Sequence, residues 1–132
     1  MSNVSYELTA RTKEQIKHER LCRLHGVRVQ RKYLSIDSDL NALADSIQDI
    51  CEDWYTGCEG LCAGFTTHYR SGYDDVLNVI KNYSKVHPFI VFRMDVYDSD
   101  DEDYLRIHIS NGEHEVMQGC IEYDAPQKIF FY

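Results

Sequence analysis

Apolar positions recur along this chain in two rhythms, one helical and one at every second residue, and the switch between them falls at His87-Pro88. Thr12-Lys13-Glu14-Gln15 has the form of a capping box. Ile16, Leu21 and Leu24 then recur near helical spacing until Gly26, which predicts a short basic helix over about 13–25. Val27 and Val29 alternate with Arg28 and Gln30 and predict a brief strand running to Tyr33. Ser38-Asp39 supplies a cap and an acid for the positive end of a helix dipole. Leu40, Leu43, Ile47, Ile50 and Trp54 follow at steps of three and four, one apolar stripe on a helix over about 39–56. A further stripe, Tyr73, Val76, Leu77, Ile80 and Tyr83, follows a Ser71 cap with Asp74 at the reciprocal capping position. That helix has to end before His87-Pro88, because proline disfavours helical backbone in the residue ahead of it.

Beyond the proline the period is two. In FIVFRMDVY, residues 89–97, Ile90, Phe92, Met94 and Val96 share one face and Val91, Arg93, Asp95 and Tyr97 the other. Leu105, Ile107 and Ile109 repeat the alternation, with Tyr104, Arg106 and His108 facing away. Ser110-Asn111-Gly112-Glu113 predicts a two-residue hairpin, since Asn-Gly tolerates the positive φ angles of a type I′ turn. This turn sets Ile107 opposite Val116, His108 opposite Glu115 and Arg106 opposite Met117. A return strand over about 114–123, a turn at Asp124-Ala125-Pro126-Gln127 and a short strand from Ile129 to Tyr132 complete a meander.

The expected fold is α+β in one domain spanning 1–132. Two to three helices in the N-terminal half pack on one face of an antiparallel meander of about four strands in the C-terminal half. A chain of 132 residues, 43% hydrophobic and 27% charged, with two prolines and seven glycines, suits one folded core and excludes disordered and collagenous classes. The opening MSNVSYELTARTKE carries no apolar run behind a basic start, and no stretch approaches the roughly 18 apolar residues of a membrane span. A soluble, cytoplasmic protein is expected. In a reducing compartment its five cysteines remain thiols.

The net charge of −8 is segregated. Residues 1–33, including the basic helix at about 13–25, carry +5, and the remainder, with its helix and sheet body over about 34–132, carries −13. An acidic body repels phosphates and anionic membranes and steers basic partners inward. Direct nucleic-acid binding and membrane binding are therefore disfavoured for the acidic body, and the basic helix is left to fold against that body, to dock a second copy as a homodimer, or to touch nucleic acid itself.

CEDWYTGCEGLCAGFTTHY, residues 51–69, packs three cysteines and a histidine into a short stretch. Cys58 and Cys62 have a loose zinc-ligand spacing, and Cys51 and His68 complete four candidate ligands for a zinc-stabilised scaffold. The same spacing continues the apolar stripe through Ile50 and Trp54, so buried thiols explain it as well, and no cofactor is assigned. A nucleophilic Cys62 would need His68 as its base. His18, Cys22 and His25 mark a second ligand-like helix face, read as surface decoration.

Asp95, Asp98, Asp100, Asp101, Glu102 and Asp103 crowd the turn between two predicted strands. An EF-hand fails there, because Asp103 stands where the loop needs glycine and Ile109 where it needs glutamate. An anionic prong fits better, since carboxylates match the arginines that otherwise hold nucleic acid. Ten tyrosines add aromatic contact area, Tyr97, Tyr104, Tyr123 and Tyr132 among those expected on the sheet. In residue types, the sheet face with His108, Glu115 and Arg106 resembles that of small sheet-based ribonucleases. There, one group takes the 2′-hydroxyl proton, another returns a proton and arginine steadies the phosphate.

The primary expectation is a non-enzymatic, acidic protein-binding module. It would act as an inhibitor of phage counter-defence or immunity and antitoxin type, a nucleic-acid mimic blocking a basic nucleic-acid-handling surface on a protein partner. Its contact set is Asp98, Asp100, Asp101, Glu102 and Asp103 with Tyr97 and Tyr104 as anchors. The alternatives are a ribonuclease-like enzyme using His108, Glu115 and Arg106, and the zinc-stabilised scaffold.

Overall fold

Val4, Tyr6, Leu8 and Ala10 alternate with Ser5, Glu7, Thr9 and Arg11, and this period-two run forms a strand inside the sheet. A computed structural model describes residues 3–68, 71–122 and 128–131. The elements in order are β1 (Val4–Thr12), α1 (Lys13–Leu24), α2 (Asn41–Gln48), β2 (Glu52–Thr56), β3 (Cys62–Thr67), α3 (Ser71–Val86), β4 (Ile90–Asp98), β5 (Asp103–Ser110), β6 (Glu113–Glu122) and β7 (Lys128–Phe131). A 3-10 turn at Cys58–Gly60 separates β2 from β3. The fold is α+β, with strands in the order β2-β3-β1-β4-β5-β6-β7 and every pairing antiparallel.

Two faces of this sheet have different chemistry. On the inner face Tyr6, Leu8, Phe65, Phe92, Met94, Val96, Ile107 and Ile109 meet Leu43, Ala44 and Ile47 of α2 and Val76, Leu77 and Ile80 of α3 in one buried cluster. Tyr6 stacks on Phe65 at 4.9 Å between centroids, and Trp54 stacks on Phe65 from the other side at 5.6 Å. The outer face is mostly polar, and α1 lies across part of it. Arg11 Nη1 donates to both carboxylate oxygens of Glu19, at 2.8 and 2.7 Å, which ties that helix to β1.

Local signals place several elements where the sequence predicts them. Thr12 caps α1, its hydroxyl oxygen accepting from the Gln15 amide at 3.1 Å. Gly26, at φ +66, ends it in a Schellman arrangement: the Gly26 amide donates to Arg23 O and the Val27 amide to Cys22 O. Ser71 opens α3, though its side chain lies outside the described residues, and the helix stops at Val86 ahead of His87-Pro88. The β4–β6 meander has the predicted alternation and register, with Ile107 opposite Val116, His108 opposite Glu115 and Arg106 opposite Met117. Asn111 and Gly112 take φ of 53° and 76° in its turn. The turn at residues 124–127 lies outside the described residues, as do Tyr123 and Tyr132.

Other expectations are corrected. Helices and strands are interspersed rather than split between the two halves, and α1 covers the outer face while α2 and α3 cover the inner one. Residues 27–33 form no strand. Val27 and Arg28 are exposed, and the Val27 amide turns back onto α1. The helix expected over 39–56 ends at Gln48. Ile50 is exposed, and Trp54 reaches Phe65 from a strand, because Gly57 and Gly60 permit a tight return and β3 pairs with β1. Among the described residues, no helix is long and apolar enough to cross a membrane.

Candidate functional site

The β4–β5 connection carries the acidic cluster, and the structure divides its members. Asp98 is only 7% exposed, and one of its carboxylate oxygens accepts the Asp100 amide at 3.1 Å, so it builds the turn rather than facing outward. Asp103 sits directly opposite Asp98 and is half-buried. Asp100, Asp101 and Glu102 are exposed at the tip, where Glu102 adopts φ 52°. The Ser99 amide and hydroxyl both donate to Asn3 O, at 3.3 and 3.2 Å, anchoring the turn beside the start of β1. Just behind the tip, on the outer face, Tyr97 and Tyr104 stack with centroids 4.4 Å apart.

Further along that face the register lays charged residues in rows. Glu7, Asp95, Arg106 and Met117 form one row, and Thr9, Arg93, His108 and Glu115 the next. Arg106 is engaged with Asp95, its Nε and Nη2 donating at 2.9 and 3.2 Å. His108 faces Glu115 as predicted, yet neither side chain makes a hydrogen bond among the described residues. Burial lowers the His108 pKa first, and Arg106, Arg93 and Arg11 lower it further, with Glu115 opposing them. The imidazole is therefore held toward its neutral form. The set His108, Glu115 and Arg106 shares one face, but its arginine is committed to Asp95.

Where α1 stands off the sheet, a groove of about 830 Å³ opens. Lys13, Lys17, Arg20 and Arg23 line its helical wall, and Val91, His108, Ser110, Glu115 and Met117 form its floor. The separate signals for this groove, a basic helix and a polar sheet face, are present in the sequence; their juxtaposition is not. The acidic tip lies beyond the other end of β4, whose last residue, Asp98, is about 23 Å from Val91 at the strand rise of roughly 3.3 Å per residue.

The cysteine cluster does not assemble. Cys62 begins β3 and His68 follows its far end, about 20 Å away along an extended strand. His68 Nε2 instead pairs with Glu52 at 2.6 Å, and its Nδ1 lies 3.4 Å from Asn3 Oδ1. Cys58 is exposed on the 3-10 turn, while Cys51 packs against the core, where burial pushes its thiol pKa up. Of the buried thiols expected here, Cys51 and Cys62 are half-buried and Cys58 is exposed. In α1, Cys22 Sγ lies 3.5 Å from His18 Nε2, and His25 forms the C-cap. No group of three or more His, Cys, Asp or Glu among the described residues is placed to hold a metal ion.

Compared with protein-family models, with curated proteins and with solved structures, the chain matches none.

Proposed function

We propose that this protein is a non-enzymatic binding module, an acidic inhibitor whose β4–β5 turn occupies a basic nucleic-acid-handling surface on a protein partner. The observation that carries this reading is the braced tip: Asp100, Asp101 and Glu102 projecting from a turn held by Asp98 and Ser99, with the Tyr97–Tyr104 stack behind it. A turn already fixed in its bound shape loses little entropy on docking. Its carboxylates suit arginine forks, and the paired rings supply the aromatic area common in interface hot spots. Asp98 and Asp103 support the tip in this scheme, leaving three acids as the direct contacts. The functional class is phage counter-defence or immunity and antitoxin protein, acting in the cytoplasm, where the four described cysteines stay unbridged.

The test is retention of host proteins on the immobilised chain, comparing wild type with the triple variant Asp100→Lys, Asp101→Lys, Glu102→Lys. A single basic, nucleic-acid-handling protein should be held by wild type at low salt, weakened at high salt and lost from the variant. Equal retention by both forms overturns the proposal.

A further inference from the structure

We propose that the groove between α1 and the outer face of the sheet binds a nucleotide through its phosphoryl groups, either as a free nucleoside polyphosphate or as part of an RNA strand. This site is separate from the acidic turn and does not depend on its role.

Lys13, Lys17, Arg20 and Arg23 fall at steps of four, three and three, so they line one side of α1, and all four are exposed. Among the described residues none of the four has an ion-pair partner. The buried Glu19 is taken by Arg11, with Arg31 a further 3.7 Å from it. Four like charges along one helix side repel one another, and although Glu115 lies on the groove floor, no carboxylate among the described residues is within ion-pair distance of them. A polyanion seated in the groove relieves that repulsion. Phosphoryl groups also match the donor geometry of Arg20 and Arg23 and the point charges of Lys13 and Lys17.

The floor differs from the wall. Val91, Met117 and Ile16 offer apolar contact, while His108, Ser110 and Glu115 offer hydrogen-bonding groups among them. A bare phosphate would use none of these. A ligand with an anionic end and a flat, partly apolar body would use both surfaces, and a groove of about 830 Å³ falls in the size range of small-ligand sites. The neutral tendency of His108 suits contact with an uncharged base better than with phosphate.

The experiment measures binding of ATP, pyrophosphate and a 5′-phosphorylated single-stranded oligoribonucleotide by calorimetry or anisotropy, at low and moderate salt. It uses wild type, Lys17→Glu with Arg20→Glu, His108→Ala, and the triple acidic-turn variant as a control. ATP or the oligonucleotide should bind wild type, and the double variant should weaken that binding about tenfold or more, as expected for loss of two charge-assisted contacts. The slope of log affinity against log salt should fall by about two, roughly one for each phosphate contact removed. The acidic-turn variant should bind as wild type does. His108→Ala should weaken ATP more than pyrophosphate. Tighter binding of the oligonucleotide than of ATP assigns the site to RNA, and the reverse assigns it to a free nucleotide. Pyrophosphate binding as tightly as ATP overturns the nucleotide assignment, and no binding of any probe at low salt by a variant-matched, folded wild type overturns the site.

Discussion

Arg11, near the end of β1, holds Glu19, in the middle of α1, through one guanidinium nitrogen bonded to both carboxylate oxygens. Glu19 is 1% exposed, so its buried carboxylate depends on its cationic partners, Arg11 first and Arg31 at 3.7 Å. The Arg11 guanidinium also lies 5.9 Å from the centre of the Tyr33 ring, linking the segment after α1 to the same point. Glu19→Ala should lower unfolding free energy by about 3 kcal/mol, because it strands a largely buried cation. The double change Arg11→Met with Glu19→Leu should lose much less. Denaturant titration of the three proteins checks this, and equal losses in the single and double variants would show that the loss does not come from stranding the Arg11 cation.

Tyr6 places its phenol inside the core, 3.0 Å from Thr67 Oγ1. Burial pushes its pKa up to about 12 from 10.0, the Thr67 hydrogen bond acting against that rise. The unfolded chain releases this proton near 10 and the folded chain near 12. The group's contribution to stability is therefore intact below pH 10 and lost as pH climbs through 12. Tyr6→Phe should cost about 1 kcal/mol at neutral pH through the lost hydrogen bond and should shallow the alkaline decline. Stability curves for both proteins across this interval test it; parallel declines would contradict it.

His108 behaves in the opposite range. Its folded pKa lies below the ordinary 6.5, set by burial and by Arg106, Arg93 and Arg11, with Glu115 facing it from β6 and acting the other way. Stability linked to this group is present above pH 6.5 and lost as pH falls through the folded value. His108→Gln should flatten the acid side of the stability profile. An imidazole midpoint at or above 6.5, read by NMR titration, would sink the assignment.

Ser84, fully buried on α3, fastens the β5–β6 turn to the helix layer. Its hydroxyl donates to Lys81 O at 2.8 Å and accepts the Gly112 amide at 2.9 Å. Ser84→Ala should cost about 1–3 kcal/mol, because it leaves a part-buried amide without its acceptor. Hydrogen exchange at Gly112 should accelerate with it, and an unchanged exchange rate would place the turn's order in the hairpin alone.

Much of this fold is legible in the sequence wherever the determining forces are local. The Thr12 cap and Gly26 stop of α1, the apolar stripe of α3 and the Asn111-Gly112 hairpin depend on residues a few positions apart, and the structure shows each of them. The acidic turn is contiguous and equally visible, although the burial of Asp98 is not. β1 carries its own signal in Val4, Tyr6, Leu8 and Ala10, but reading it as a central strand requires knowing that its partners are β3 and β4, far along the chain. The segment after Ile47 misleads for a physical reason. Ile50, Trp54 and Cys58 imitate a helical stripe, whereas Trp54 stacks on Phe65 from β2, which pairs with β3, a contact between residues too far apart in sequence for the local pattern to show. The sequence by itself determined the local elements, the charge segregation and the hairpin register, because steric and periodic rules act over short range. The tertiary structure alone decided which face each helix covers and that α1, pinned through Arg11 and Glu19, turns a basic helix and a polar sheet face into opposite walls of one groove. That pairing is long-range electrostatics and packing, which no local pattern encodes.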